Sequence, residues 1–395
     1  MTVKVSKPEV NLRDKLNKIE PPVGVHGSQL LKSKSTSETF DLVRAGRRNL
    51  IINGDMRIWQ RSNGAAISHS GVTLSHGPDR WMFEEGCSQL EVELSRSTDT
   101  PLDQGFRYSF KLSPTTVESG LDAGDFAQYM YFIEGYDAAP AQWGSINAKP
   151  CTLSFWLKTN MGGEHYVTFN SNGGIDTWST SIRSTMNVWE HHVITVPPPM
   201  TGTWNYTNGR GIEIRIGLMR SASVTQENSG QWFHGGSNYN GFADAHSDWA
   251  FNTAHAAYLT GVQFEIGSQA TPFEHRSYAE ELALCYRYFR RFDSNDGGDN
   301  YTGYGVGVPN AGTRMLWTRA FDVPMRNEPT ISGANVRLYD GTNNLAITSF
   351  PTNRSSKSAF WVEPTGDSSS LVVGRGCIIG NNDDTSGYVE FNAEL

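Results

Sequence analysis

The stretches Gln89-Leu-Glu-Val-Glu-Leu94 and Gly211-Ile-Glu-Ile-Arg-Ile-Gly-Leu218 decide the fold class. In both, apolar and polar side chains alternate with a period of two. That is the pattern of a strand with one face in a core and the other in water. Further strands read out at Tyr108-Ser-Phe-Lys-Leu112, Thr152-Leu-Ser-Phe-Trp-Leu-Lys158, Tyr166-Val-Thr-Phe169, Glu190-His-His-Val-Ile-Thr-Val196 and Tyr258-Leu-Thr-Gly-Val-Gln-Phe-Glu-Ile266. Turns rich in Gly, Asn and Pro separate them, so the expected form of residues 49–275 is a jelly-roll-like antiparallel β-sandwich.

Composition agrees. Among 395 residues are 40 Gly, 11 Trp, 15 Tyr and 19 Phe, and only 19% are charged. Many turns and aromatics with few charges exclude a coiled coil, a helical repeat or a disordered chain. Cys87, Cys151, Cys285 and Cys377 lie far apart with no C-x-x-C spacing, so buried free thiols are expected rather than disulfides or a thiolate zinc site. No apolar run reaches the ~20 residues of a membrane span, and no signal-peptide core opens the chain. Synthesis in a cytoplasm, with no membrane insertion, is expected.

Outside the sandwich the chain divides into three pieces. Residues 1–48 hold ten Lys and Arg against five Asp and Glu, so with a net charge of −8 overall the rest carries −13. An acidic body excludes a nucleic-acid binder, and the basic segment reads as an extended N-terminal arm for an acidic partner. Lys4, Lys7 and Arg13, with Leu12, Leu16 and Ile19 as spaced apolar residues, are its candidate docking contacts. Residues 276–292 read as one helix. Ser277 and Glu280 form a capping box, and Arg287, Arg290 and Arg291 close it. Tyr278, Leu282, Cys285 and Phe289 line one face; the wide apolar arc suits burial between domains or between subunits. Residues 293–395 read as six short strands, a small C-terminal β-sandwich domain.

The search for chemistry returns little. There is no P-loop, no dinucleotide fingerprint, no nucleophile elbow and no H-E-x-x-H, so a non-enzyme without cofactor or metal is expected. His191 and His192 are adjacent on a strand and face opposite sides. Glu91/Glu93 and Asp244/Asp248 are the acid pairs that a glycan hydrolase would need, and acids alternating on a strand are normally a solvated face. Aromatics are the better lead, because flat rings stack on sugar faces at little entropic cost. Trp232, Phe233, Tyr239 and Trp249 crowd a long Gly/Asn-rich loop, and Trp178 sits in a second turn. These five are the candidate glycan contacts.

Three blocks carry a family resemblance: Gly46-Arg-Arg-Asn-Leu-Ile-Ile-Asn-Gly-Asp-Met-Arg-Ile-Trp-Gln-Arg61; the run from Tyr258 to Tyr288 that contains Gln263-Phe-Glu-Ile-Gly-Ser-Gln-Ala-Thr-Pro-Phe-Glu-His-Arg276; and Val323-Pro-Met-Arg-Asn-Glu-Pro-Thr330. Together they resemble bacteriophage virion proteins of the tail-fibre or receptor-binding type found in phages of aquatic bacteria. The resemblance implies a carbohydrate-module-like jelly roll, a helix, a small β domain, an arm docked on other virion proteins (tail adaptor, tail tube or capsid), and a homotrimer. It implies a virion location and host cell-surface polysaccharide as partner. No heptads or short β-repeats are present, so a short fibre fits better than a long shaft. The alternatives are a capsid decoration or tail-assembly protein, and a polysaccharide depolymerase.

Overall fold

The computed structural model describes residues 48–71, 74–172, 175–221, 230–234, 248–294, 299–351, 355–366 and 370–395. The arm candidates Lys4, Lys7, Leu12, Arg13, Leu16 and Ile19, and Tyr239, lie outside them. In the first part of the described chain the strands are β1 (Ile67–Ser70), β2 (Leu74–His76), β3 (Trp81–Glu85), β4 (Glu91–Ser97), β5 (Ser109–Thr116), β6 (Phe126–Glu134) and β7 (Cys151–Thr159). They continue with β8 (Gly163–Asn170), β9 (Asp176–Ser184), β10 (Glu190–Val196), β11 (Arg210–Arg220), β12 (Trp232–His234) and β13 (Ala257–Ile266).

These thirteen strands make two antiparallel sheets, in the orders β1-β4-β5-β13-β7-β10 and β12-β9-β8-β11-β6-β3-β2. The alternation sets which face is inside. On β4, Val92 and Leu94 are buried while Glu91 is exposed; on β7, Leu153, Phe155 and Leu157 are fully buried. Both sheets contribute to one core, where Leu94, Phe110 and Phe155 from the first meet Phe83, Phe169 and Ile214 from the second. The chain crosses between the sheets after β1, β3, β5, β6, β7, β9, β10 and β12, which makes the sandwich jelly-roll-like.

The expected helix is shorter than 276–292. The helix α1 spans Tyr278–Tyr286 and opens on the expected capping box: Glu280 N donates to Ser277 Oγ at 3.3 Å, and Ser277 N donates to Glu280 Oε2 at 3.0 Å. Residues after Tyr286 turn into a strand, β14 (Phe289–Asp293). Phe289 is therefore not a helix residue. It is buried and lies under the Arg61 guanidinium, 3.7 Å from its ring centroid. Cys285 is also fully buried, packed with Ile52, Ile58 and Tyr288, and Leu282 packs against the same group. The apolar face of the helix is thus consumed within the chain, which corrects Cys285 and Phe289 as subunit contacts; Tyr278, 57% exposed, is the outward one.

The remaining strands are β15 (Gly303–Ala311), β16 (Arg314–Ala320), β17 (Thr330–Ala334), β18 (Val336–Tyr339), β19 (Asn344–Ser349), β20 (Ala359–Val362), β21 (Thr365–Gly366), β22 (Cys377–Asn381) and β23 (Tyr388–Asn392). The order β15-β22-β18-β19-β21-β16 closes on itself through β15–β16 pairing. The C-terminal β structure is therefore a barrel where the sequence suggested a sandwich. Glycines make closure possible: a Cβ on Gly305 would lie 2.5 Å from the Trp317 ring nitrogen. A separate sheet, β14-β23-β17, joins the linking strand to β23. Among the described residues no helix is long and apolar enough to cross a membrane.

Candidate functional site

The outward face of β7 carries Ser154, Trp156 and Lys158, between the buried Leu153, Phe155 and Leu157. Trp156 is half-buried on the side of the strand that alternation assigns to polar residues. Its neighbour across β10 is His191, with ring centroids 4.9 Å apart and planes tilted by 34°. On the other side Thr260 of β13 faces Trp156, and the register then shifts before Gln263. The shift is a bulge at Gly261, which sits at φ 62°. A Cβ there would stand 2.6 Å from the Phe106 ring and 3.0 Å from the Trp156 ring. Glycine at this position lets the two aromatics approach over the strand.

Phe106 is held in turn by Phe273, edge-on at 5.0 Å, and by His275 at 5.4 Å. These rings, with Asp103, Gln104, Ser154 and Thr271, line a hollow of about 290 Å³. Partial desolvation lowers the His191 imidazole below its ordinary range. A neutral imidazole offers both a hydrogen-bond donor and an acceptor. One step along the sheet, Lys158 Nζ pairs with Asp99 Oδ2 at 2.5 Å, and Trp189 Nε1 donates to Asp99 Oδ1 at 2.9 Å. Tyr258 lies beside them, 5.3 Å from the Lys158 ammonium. The face thus presents flat rings with carboxylate, amide, hydroxyl and imidazole groups between them. Such a surface can stack on an apolar sugar face and bond its hydroxyls.

Of the aromatics expected to bind glycan, the four among the described residues form no exposed platform, although Trp178 and Trp232 are register partners on β9 and β12. Trp178 is 4% exposed and Trp249 is fully buried, both in the sandwich core, which corrects them as surface contacts. Trp232 lies half-buried on β12, its Nε1 donating to Pro197 O at 2.7 Å and its ring packed edge-on against Trp143 and Trp204. Phe233, next in sequence, faces outward at 37% exposure. Trp156, His191, Phe106, Phe273 and His275 were missed as a site. Their signal was the parity of Trp156, which shares its face with Ser154 and Lys158.

His192 turns away from His191 as the alternation required, and lies 5.3 Å from the Phe155 ring. The four cysteines are free and buried. Among the described residues, Cys87, Glu118 and Asp125 bring one ligand atom each within 4.8 Å of one another. Burial, with the Glu85 carboxylate next, pushes the Cys87 thiol far up, and Glu118 already accepts from Gln89 N at 2.9 Å. Glu91 accepts from Thr116 Oγ1 at 2.6 Å on the solvated side of β4, and Asp244 lies outside the described residues.

No family model matches the chain, and no curated protein sequence does. Several solved structures are similar. The enzymatically active domain of tailspike protein 4 of bacteriophage CBA120 is 14% identical, with a TM-score of 0.29, covering 55% of this chain and 21% of that one. An arabinose-bound α-L-arabinofuranosidase is 12% identical, with a TM-score of 0.29, covering 53% and 25%. A carbohydrate-binding module, CBM4, is 12% identical, with a TM-score of 0.27, covering 54% and 98%. This chain spans about a fifth and a quarter of the length of the first two. With TM-scores this low, none of them assigns a function to it. Two of the three are described as enzymes, and the exclusion of an enzyme drawn from missing motifs does not stand. On a β scaffold, reacting groups come from separate strands and loops, so the absence of a contiguous motif excludes nothing.

Proposed function

We propose that this protein binds a glycan on the outward face of the six-stranded sheet, in the hollow between Trp156, His191 and Phe106. One observation carries the reading. A tryptophan occupies a polar-face position, flanked by a second ring on each side, above a hollow rimmed with hydrogen-bonding groups. A purely structural strand has no need of that ring on its solvent side.

At the finer scale the reading is a virion protein, a short tail fibre whose face engages host surface polysaccharide. The tail-fibre resemblance and the charge split between residues 1–48 and the rest support it. Residues 1–48 are then the arm that docks on other virion proteins, 49–275 the glycan-binding sandwich, 276–292 the link and 293–395 the small β domain. A trimer would repeat the contact three times and raise avidity without new chemistry. Competition of phage adsorption tests this. Purified full-length protein is expected to slow adsorption to host cells in proportion to its concentration, and Trp156→Ala protein to lose the effect. Equal blocking by both proteins would overturn the placement of the site. No blocking by folded protein would overturn receptor binding.

A further inference from the structure

A second constellation lies away from the aromatic hollow. Asp176 opens β9, and its side chain is almost wholly buried, yet its Oδ1 stands 2.7 Å from Nδ1 of His234, on β12. Its other oxygen, Oδ2, accepts from Thr203 N at 3.1 Å. The turn that carries Thr203 is drawn tightly over the carboxylate. Gly202 sits at φ 100°, and a Cβ there would lie 2.6 Å from the Asp176 carboxyl atoms. The same turn places Thr201 Oγ1 3.3 Å from His234 Nε2. Thr201 is exposed and the His234 side chain is 42% exposed, so both can be reached from solvent.

We propose that Thr201, His234 and Asp176 form a hydrolytic site for carboxylic esters. The order of contacts is that of nucleophile, base and orienting acid. With Asp176 accepting from Nδ1–H, the Nε2 lone pair faces Thr201. Thr201 Oγ1 adds to the ester carbonyl carbon while its proton passes to His234 Nε2. Collapse of the tetrahedral intermediate breaks the ester C–O bond, and the departing alcohol takes that proton. Water then adds to the acyl-threonine and gives its proton to Nε2. The second collapse returns that proton to Thr201 and releases the carboxylic acid. The sum is ester plus water giving acid plus alcohol. Gly202 N–H, on the residue after the nucleophile, is the candidate donor to the oxyanion. A distance of 3.3 Å is long for a poised nucleophile, but such contacts are often looser without substrate. The three residues come from a strand, an edge strand and a loop, so no sequence motif announces them.

The test is hydrolysis of p-nitrophenyl acetate by the full chain, combined with fluorophosphonate labelling read by mass spectrometry. The expected result is one adduct per chain, on the peptide carrying Thr201. Thr201→Ala and His234→Ala are each expected to lower turnover by on the order of 10² to 10⁴-fold, and Thr201→Ser to retain it and still label. Thr201 lies in an exposed turn, so an unchanged melting midpoint checks that the Thr201→Ala protein is folded. Turnover by wild type equal to that of Thr201→Ala, with no adduct at Thr201, would overturn the proposal and leave the His234–Asp176 pair as a pin for the loop.

Discussion

Gly261 shows how much a single residue decides here. Its φ of 62° turns the bulge in β13, and its missing Cβ is what lets Phe106 and Trp156 close over the strand. Gly261→Ala is expected to cost about 1–3 kcal/mol, read as a lower melting midpoint, and to weaken glycan binding as the rings are pushed apart. An unchanged midpoint would contradict the packing described. Two imidazoles, those of His76 and His165, contribute to the pH response. Burial, with Arg61 adding to it, holds His76 down at about 3, from an ordinary 6.5. Burial holds His165 at about 4, where its Nε2 lies 2.8 Å from Ser184 Oγ. Both are neutral when folded, so below pH 6.5 the unfolded chain binds more protons. Their stabilisation is complete above that value and is lost as pH falls toward 4 and 3. Denaturant titrations across this window are expected to show falling stability, and His165→Gln to flatten part of the slope; a slope unaltered by that change would count against it. The sequence carried the parity of Trp156, but ranking aromatics by loop content pointed elsewhere. Trp178 and Trp249 look like loop residues in sequence because their covering partners come from distant strands.

At the scale of elements, the period-two signal located the strands but did not always mark a wet face: Glu91 on β4 is exposed, whereas Glu213 and Arg215 on β11 are buried and pair with each other. The helix start was equally legible, since the capping box is a local bond between residues three apart. Ser277→Ala is expected to remove about 1 kcal/mol, seen as a small fall in melting midpoint; no change would mean the cap is idle. The helix end was not legible. Cys285 and Phe289 fit a helical stripe, yet Phe289–Asp293 pairs with Tyr388–Asn392, a partner about a hundred residues away in the chain. Backbone pairing at that distance overrides a local period. The barrel was hidden for the same reason. Its strands are local, while the β15–β16 contact that closes the ring depends on register, and bulges such as that between Gly303 and Gly305 shift register without a strong local mark.

At the scale of the whole described body, a polar joint ties the barrel to the sandwich. Arg326 donates to the carbonyls of Asn208, Ala393 and Glu394, each at 2.7 Å. Glu134 accepts from Arg287 Nε at 2.8 Å and from the Tyr288 hydroxyl at 2.6 Å, and Arg80 pairs with Glu394. Removing Arg326 strips three part-buried carbonyls of their donor, a loss on the order of 3 kcal/mol. Calorimetry of Arg326→Ala is expected to show the barrel and sandwich melting apart, and a single unshifted transition would contradict a joint made this way. Such rigidity suits a protein that presents one sheet face to a surface. The central claim is that this face binds glycan through Trp156. The most direct measurement is a calorimetric titration of wild type and Trp156→Ala with a polysaccharide that the wild type retains. Loss of a buried aromatic contact of about 2 kcal/mol predicts binding ~30-fold weaker with the fold intact. Equal affinity of the two proteins would contradict the account.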